Sequence, residues 1–259
     1  MFEIAGTIAL VTGGISGIGL SVGKALLQNG LAGLAMADVD GINGKIVLQS
    51  VKEQYGHDKV IFIKLDVTDK KQFHDAFQHT ISVFKNLDIV INSAVIVSVN
   101  SWERELTIGT ATGTLLAIEK YLPTFKSDTE GVVLNVASIY GLENYSTAPI
   151  YSAAKTGIIG LSRSFGTKHH YEKNQVRIMV LCPGFTETPF LQYSTVTTTH
   201  TYPDMLEKDF PKLYIQNVNN VSQTMIQMIK EGKNGSIWVS EDDQPPYEIE
   251  FLKREELKK

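Results

Sequence analysis

Seven short apolar runs, each followed by a longer amphipathic stretch, constrain this chain more than any other feature. They are Ile8–Thr12, Leu34–Asp38, Val60–Val67, Asp88–Ala94, Val132–Ser138, Val176–Leu181 and Ser236–Ser240. Strands that are apolar on both faces and alternate with helices belong to a parallel sheet covered by helices on both sides. Asp69–Phe84 shows the helical partner, with Phe73, Phe77 and Val83 among polar residues. No linker or repeat interrupts the alternation, so the expectation is one doubly wound α/β domain over residues 1–259 with a seven-stranded parallel sheet.

Composition narrows the class. A chain that is 43% hydrophobic and 20% charged is too apolar to stay disordered. The 24 Lys and Arg against 28 Asp and Glu give −4, which leaves no electrostatic footprint for nucleic acid or an anionic membrane. The opening MFEIAGTIALVTGG lacks the basic region of a signal peptide, and no apolar run approaches the ~20 residues that span a bilayer. The one cysteine, Cys182, excludes an internal disulfide and a cysteine-rich zinc site. His74 and His79 are five apart and His169–His170 adjacent, so no metal site is expected. A soluble, cytoplasmic protein is expected.

Two segments break the rhythm. Phe190–Tyr214 follows the sixth strand without a clean period. It reads equally as a substrate loop, over about residues 188–215, or as a surface loop. The tail, about residues 241–259, begins with an acidic turn and two prolines and is expected to be solvated and partly disordered.

Thr12–Gly13–Gly14–Ile15–Ser16–Gly17–Ile18–Gly19 follows the first strand and opens a helix. Glycine there lets the backbone approach a pyrophosphate, whose charge meets the free N–H groups of the helix N-terminus. Asp38 follows Gly19 by nineteen residues, at the end of the second strand, where a carboxylate accepts hydrogen bonds from an adenosine ribose. Its charge repels a 2′-phosphate, and its neighbours Ala37 and Val39 carry no offsetting base. Asp66–Val67 and Asn92, at the third and fourth strand ends, are candidates for the adenine side and the switch point of the sheet, or else turn and cap residues.

Tyr151 and Lys155, in YSAAK, stand four apart and so share a helical face. A neighbouring ammonium stabilises a phenolate, which brings tyrosine towards acid–base work near neutrality. Ser138, closing the fifth strand, is placed to hold a substrate oxygen. Phe185, Phe190, Leu191 and Tyr193 suggest an apolar pocket wall, or the packing of the loop onto the core.

With TGGISGIG, Asp38, Asp66–Val67, Asn92–Ser93–Ala94, Ser138, Tyr151–Lys155 and Pro183–Gly184 with Thr188 in this order, the sequence resembles the short-chain dehydrogenase/reductase family over almost its whole length. Asp38 and the closing NGSIWVSE are similar to the branch of insect alcohol dehydrogenases and NAD-dependent 15-hydroxyprostaglandin dehydrogenases. The resemblance implies a Rossmann-type sheet of order 3-2-1-4-5-6-7, NAD as cofactor and hydride transfer to or from a secondary alcohol. Tyr151 would be the proton donor or acceptor and Ser138 would orient the substrate oxygen. Lys155 would bind the nicotinamide ribose and lower the pKa of Tyr151. Gly13, Ser16, Gly17, Ile18, Gly19, Asp38, Asp66, Val67 and Asn92 would line the rest of the cofactor site. Pro183, Gly184, Phe185, Thr186 and Thr188 would lie along the nicotinamide. A small apolar alcohol or carbonyl substrate and a homodimer or homotetramer are implied as well.

Two departures stand out. Val95 replaces the family's glycine after Asn92–Ser93–Ala94, and the asparagine of the following helix is missing: none occurs from Ser101 to Leu134. Gly109, or Thr107 in a shifted alignment, stands near its place. Two readings follow: an NAD-dependent dehydrogenase, or a dinucleotide-binding protein with weakened catalysis in a storage, scaffold or sensor role.

Overall fold

The computed structural model describes residues 1–95, 109–128, 130–191, 202, 205–209 and 214–256. Its centre is one sheet of β1 (Ile8–Thr12), β2 (Gly33–Asp38), β3 (Val60–Lys64), β4 (Ile89–Asn92), β5 (Gly131–Val136), β6 (Val176–Pro183), β7 (Ile237–Ser240) and β8 (Tyr247–Ile249). The order is β3-β2-β1-β4-β5-β6-β7-β8, and all pairs are parallel except β7–β8. The chain reverses its direction of growth between β1 and β4, and ligands bind at such a switch point, beyond the carboxyl ends of the strands.

Alternate residues of each strand enter different cores. Ala9, Val11, Leu34, Met36, Ile89 and Ile91 pack with Leu26 of α1 (Gly17–Gln28) and with Met225 of the helix Val218–Glu231. Leu10, Ala35 and Val90 face the other way, onto Phe73 and Phe77 of the helix Lys70–Phe84 and Tyr121 of the segment after β4. Its described part runs as the helix Gly109–Leu116 and widens into a π turn over Ala117–Tyr121. Val180 and Cys182 of β6 meet Ile158 and Ile159 of the helix Pro149–Phe165.

The tail departs from expectation. Tyr247–Ile249 forms β8, antiparallel to β7, with Trp238 opposite Glu248. A parallel seven-stranded sheet would leave β7 with an unpaired ladder of N–H and C=O groups. The left-handed residues Asp242 and Asp243 (φ 57° and 53°) reverse the chain and supply the partner strand. Nothing in the alternating apolar pattern announces this, because β8 is short and mostly exposed.

Arg177, in β6, holds the far end of Val218–Glu231. Its guanidinium donates to the carbonyls of Met228 (3.2 Å), Ile229 (2.7 Å) and Gly232, and to Glu130 (3.1 Å). These carbonyls belong to the unsatisfied end of a helix, where a cation is also favoured by the helix dipole. Arg177→Ala removes the buried cation and takes the donor from the Ile229 and Gly232 carbonyls, while Met228 keeps the Gly232 N–H, so it should destabilise the fold by about 3 kcal/mol. Urea denaturation reads this as a lowered midpoint, and a midpoint unchanged from wild type would refute the capping role.

Candidate active site

The glycine loop leaves β1 and enters α1 through a backbone that side chains would block. Gly13 takes φ +65°, and a Cβ there would sit 3.0 Å from Ala94 Cα. A Cβ on Gly19 would meet the Gly13 carbonyl oxygen at 2.2 Å. The helices starting at Gly41, Lys70 and Val218 are capped by Asp40, Asp69 and Asn217 side chains, but Ser16 makes no such bond to α1. The N-terminus of α1 thus keeps its N–H groups for an anion, as a pyrophosphate requires. Asp38 ends β2 beside the loop and accepts hydrogen bonds from the backbone of Ile15, Val39 and Asp40, while burial raises its carboxyl above the ordinary range. These residues fit a dinucleotide. Lys64 lies opposite Asp38 in the β2–β3 register, with its stem towards Gly41, a cation that the neighbours of Asp38 in sequence do not reveal.

The chemistry-bearing side chains converge at the ends of β5 and β6. Pro149 opens the helix that carries Tyr151 and Lys155 on one face. Lys155 is buried, and its Nζ donates to the Val136 carbonyl at 3.1 Å and lies 5.3 Å from the centroid of the Tyr151 ring. Burial lowers its pKa to about 8. Cys182 lies within its field, and burial pushes that thiol up to about 12, so no thiolate competes for the ammonium. Ser138, two residues beyond Val136, caps the 3-10 turn Ile139–Gly141, its Oγ accepting from Tyr140 N at 3.2 Å. The carbonyl that anchors Lys155 and the hydroxyl of Ser138 therefore belong to one strand end.

A polar chain fixes this helix to the sheet. Asn92 donates to Asn135 Oδ1 (2.8 Å), and Asn135 donates to Ser162 Oγ (2.8 Å) on the helix. Thr114 joins Asn135 at 3.1 Å. Asn92 Oδ1 has no partner among the described residues, and a Cβ on Gly113 would lie 2.1 Å from it. Asn92 is thus a structural member of the site, tying β4 to β5.

Aromatic rings enclose Tyr151. Phe190 stacks on it at 6.1 Å, and Tyr140 meets it edge to face at 5.5 Å. Tyr140 also contacts Tyr145 (4.7 Å) and Phe185 (6.0 Å). Pro183, Gly184, Phe185, Thr186 and Thr188 run past this wall. Their course is set by Gln216, wholly buried, which donates to Thr186 Oγ1 (3.2 Å) and to the Ser240 carbonyl (2.6 Å). Thr188 reaches the glycine loop: a Cβ on Gly17 would lie 3.1 Å from its methyl.

Strand β3 ends at Lys64, earlier than the apolar run predicts, so Asp66 and Val67 lie just beyond it. Asp66 forms a turn, its Oδ1 accepting from Thr68 N (2.9 Å) and Thr68 Oγ1 (2.7 Å), and Val67 packs on the core beneath. Ile18, within the first turn of α1, packs its side chain partly on the core. Gly109 is the first residue of its helix, while Thr107, Tyr193 and most of the segment 188–215 lie outside the described residues. Tyr140 and Gln216 also belong to the site. The aromatic residue two places after Ser138 was a signal for the first; the second had none, because its partners are distant in sequence. Among the described residues no cluster of His, Cys, Asp and Glu could hold a metal ion, and no helix is long and apolar enough to cross a membrane.

Comparison with known proteins agrees with this geometry. The chain is 36% identical over 193 residues to the 15-hydroxyprostaglandin dehydrogenase (NAD(+)) of Rattus norvegicus, covering 73% of this chain and 72% of that one. The Bos taurus enzyme of the same name is 31% identical over 245 residues, 91% of each chain. Alcohol dehydrogenase 1 of Ceratitis capitata is 29% identical over 241 residues, 92% of this chain and 93% of that one. The profile of the short chain dehydrogenase family matches residues 7–199, and the chain belongs to that family.

Proposed function

We propose that the protein is an NAD-dependent dehydrogenase that interconverts a secondary alcohol and its ketone on an apolar small molecule. The observation that carries this reading is the buried Lys155 ammonium beneath the Tyr151 ring, inside an aromatic wall. The names of the relatives, an NAD(+) hydroxyprostaglandin dehydrogenase and alcohol dehydrogenases, support the same chemistry. The half-buried rings of Tyr145, Phe185 and Phe190, packed with Tyr140 about Tyr151, support an apolar substrate.

NAD, when bound, supplies the hydride acceptor or donor at its nicotinamide. Tyr151 takes the hydroxyl proton as an alcohol is oxidised, or gives it back as a ketone is reduced. Lys155 favours the phenolate through its charge and offers its remaining donors to a ribose. Ser138 Oγ accepts from Tyr140 N, which leaves its own proton to donate to the substrate oxygen. Asp38 would hold the adenosine ribose, and the uncapped N-terminus of α1 would hold the pyrophosphate. A second reading, a dinucleotide-binding protein with weakened or lost catalysis, is favoured by Val95 and by the missing asparagine, near whose place Gly109 or Thr107 stands.

The direct experiment mixes the protein with NAD and a panel of apolar secondary alcohols and follows the reduced nicotinamide band. Turnover is expected, and Tyr151→Phe should abolish it while leaving the Kd for NAD within about twofold, since only proton transfer is lost. Turnover retained in Tyr151→Phe would overturn the assignment, and none in wild type with any alcohol would favour the second reading.

Cofactor choice tests Asp38. An added 2′-phosphate next to that carboxylate costs about 2 kcal/mol or more, which is beyond tenfold in Kd. Calorimetry should therefore give NAD at least about tenfold the affinity of NADP, with the gap narrowed in Asp38→Asn. Equal constants in wild type would remove Asp38 from the ribose.

Lys155 sets the pH dependence. With its pKa lowered to about 8, it is a cation below that pH and loses its charge above it. Groups of the free enzyme govern kcat/KM, so kcat/KM for NAD should be level below about pH 8 and fall towards tenfold per pH unit above it. A profile that stays level well above that pH would show that the cation is not needed for cofactor capture.

A further inference from the structure

We propose that Tyr140 is a positioning residue for Tyr151, its ring held against the reacting phenol by a hydrogen-bonded chain that runs through Thr147 to Asp209. The proposal rests on the reading of Tyr151 as the proton donor and acceptor.

The chain is built from parts far apart in sequence. Asp209 ends the short helix Leu206–Asp209, and its Oδ2 accepts from both Thr147 N (2.7 Å) and Thr147 Oγ1 (2.5 Å). Tyr202 N donates to the Thr147 carbonyl at 2.7 Å. Thr147 is therefore gripped on both sides of its peptide by residues that follow β6. Its hydroxyl lies beside the Tyr140 phenol and, with its proton on Asp209, is left to accept from that phenol. Tyr140 is 8% exposed, and its ring meets Tyr151 at 77° with centroids 5.5 Å apart.

The backbone beneath Tyr140 is just as fixed. Ser138 Oγ takes its N–H, and the turn Ile139–Gly141 is pressed onto the catalytic helix, with Thr156 Oγ1 donating to the Gly141 carbonyl at 3.2 Å. A Cβ on Gly141 would lie 2.8 Å from the Lys155 carbonyl carbon. Tyr140 is thus held through its backbone, and its ring restricts Tyr151 by the edge-to-face contact. An edge-to-face pair adds a geometric preference to ring burial, and positional error of an ångström at a reacting atom can cost ~10²-fold in rate.

Charge around the pair divides the two phenols. Lys155 faces Tyr151 from its own helix, with Cys182 behind it on β6. Asp209 faces Tyr140 from the short helix, and Tyr145, itself bonded to Glu143 (3.4 Å), faces it from the loop between. The cation favours ionisation of Tyr151, whereas burial and the anions keep Tyr140 a neutral phenol. Groups whose surroundings push them apart in this way take different roles: Tyr151 exchanges the proton, and Tyr140 holds the geometry.

The test uses full-length Tyr140→Phe, Tyr140→Leu, Thr147→Val and the double variant Tyr140→Phe/Thr147→Val. Tyr140→Leu, which removes the ring, should lower kcat by about 10- to 100-fold with the Kd for NAD unchanged. Tyr140→Phe keeps the ring and should recover most of that loss, leaving a deficit of about 3- to 10-fold. Thr147→Val should match Tyr140→Phe, and the double variant should be no worse than either, because both break one chain. Tyr140→Leu also admits water beside Tyr151, which eases phenolate formation. The midpoint of kcat against pH, and of the Tyr151 phenolate band in the ultraviolet, should therefore move to lower pH. A merely structural role would lower thermal stability without moving that midpoint. Tyr140→Leu within twofold of wild-type kcat and with an unmoved midpoint would overturn the proposal, as would additive losses in the double variant should Tyr140→Leu fail to fold. If wild type turns over no alcohol, the function fails, and the shift of the phenolate band in Tyr140→Leu still decides the role of Tyr140.

Discussion

A buried ammonium governs the arrangement of this molecule. Taking Lys155 out of water costs several kcal/mol unless something accepts its protons. The Val136 carbonyl accepts one, at the carboxyl end of β5. The helix Pro149–Phe165 must therefore lie close against β5, and the Asn92–Asn135–Ser162 chain keeps it there. A neutral Cys182 thiol completes the pocket without neutralising the cation. Moving that helix by an ångström would strand a charge, so the position of Tyr151 follows from the cost of burying its neighbour.

How much could be read in advance follows from where each signal lies. Strand runs such as Ile8–Thr12 and Val132–Val136 carry their burial on both faces, so local composition reveals them. The glycine loop is equally local, since Gly13 and Gly19 answer clashes within a few residues or with the next strand. Tyr151 and Lys155 are joined by helical spacing alone. Strand ends were less legible: Asp66 continues an apolar run in sequence, yet its side chain bonds Thr68 and turns the chain.

Residues whose meaning depends on long-range partners could not be read. Gln216 looks like any polar residue before a helix, but it donates to Thr186 and Ser240 in the interior. Asp209 looks like a solvated charge, and it closes on Thr147. Lys64 falls opposite Asp38 only once β2 and β3 are in register. Parallel sheets place such pairs far apart in the chain, because each strand is separated from its neighbour by a crossover. The site is consequently local in its reacting groups and non-local in everything that holds them still.

The last strand has a consequence for how copies of this chain can meet. With β8 in place, the outermost ladder on that side is only Tyr247–Ile249, and Pro245 and Pro246 come just before it. Short edges and prolines are how sheets avoid recruiting a foreign strand. Without β8 the exposed rim would be β7, with Trp238 and Val239, an apolar invitation to edge-to-edge aggregation. The acidic turn Glu241–Asp243 keeps the chain reversed there, with Asp243 accepting from Asn217 N (2.9 Å) and from the Tyr214 phenol (3.0 Å). Continuous sheets extended through this rim are thereby discouraged, and the few residues after β7 act as a guard on solubility.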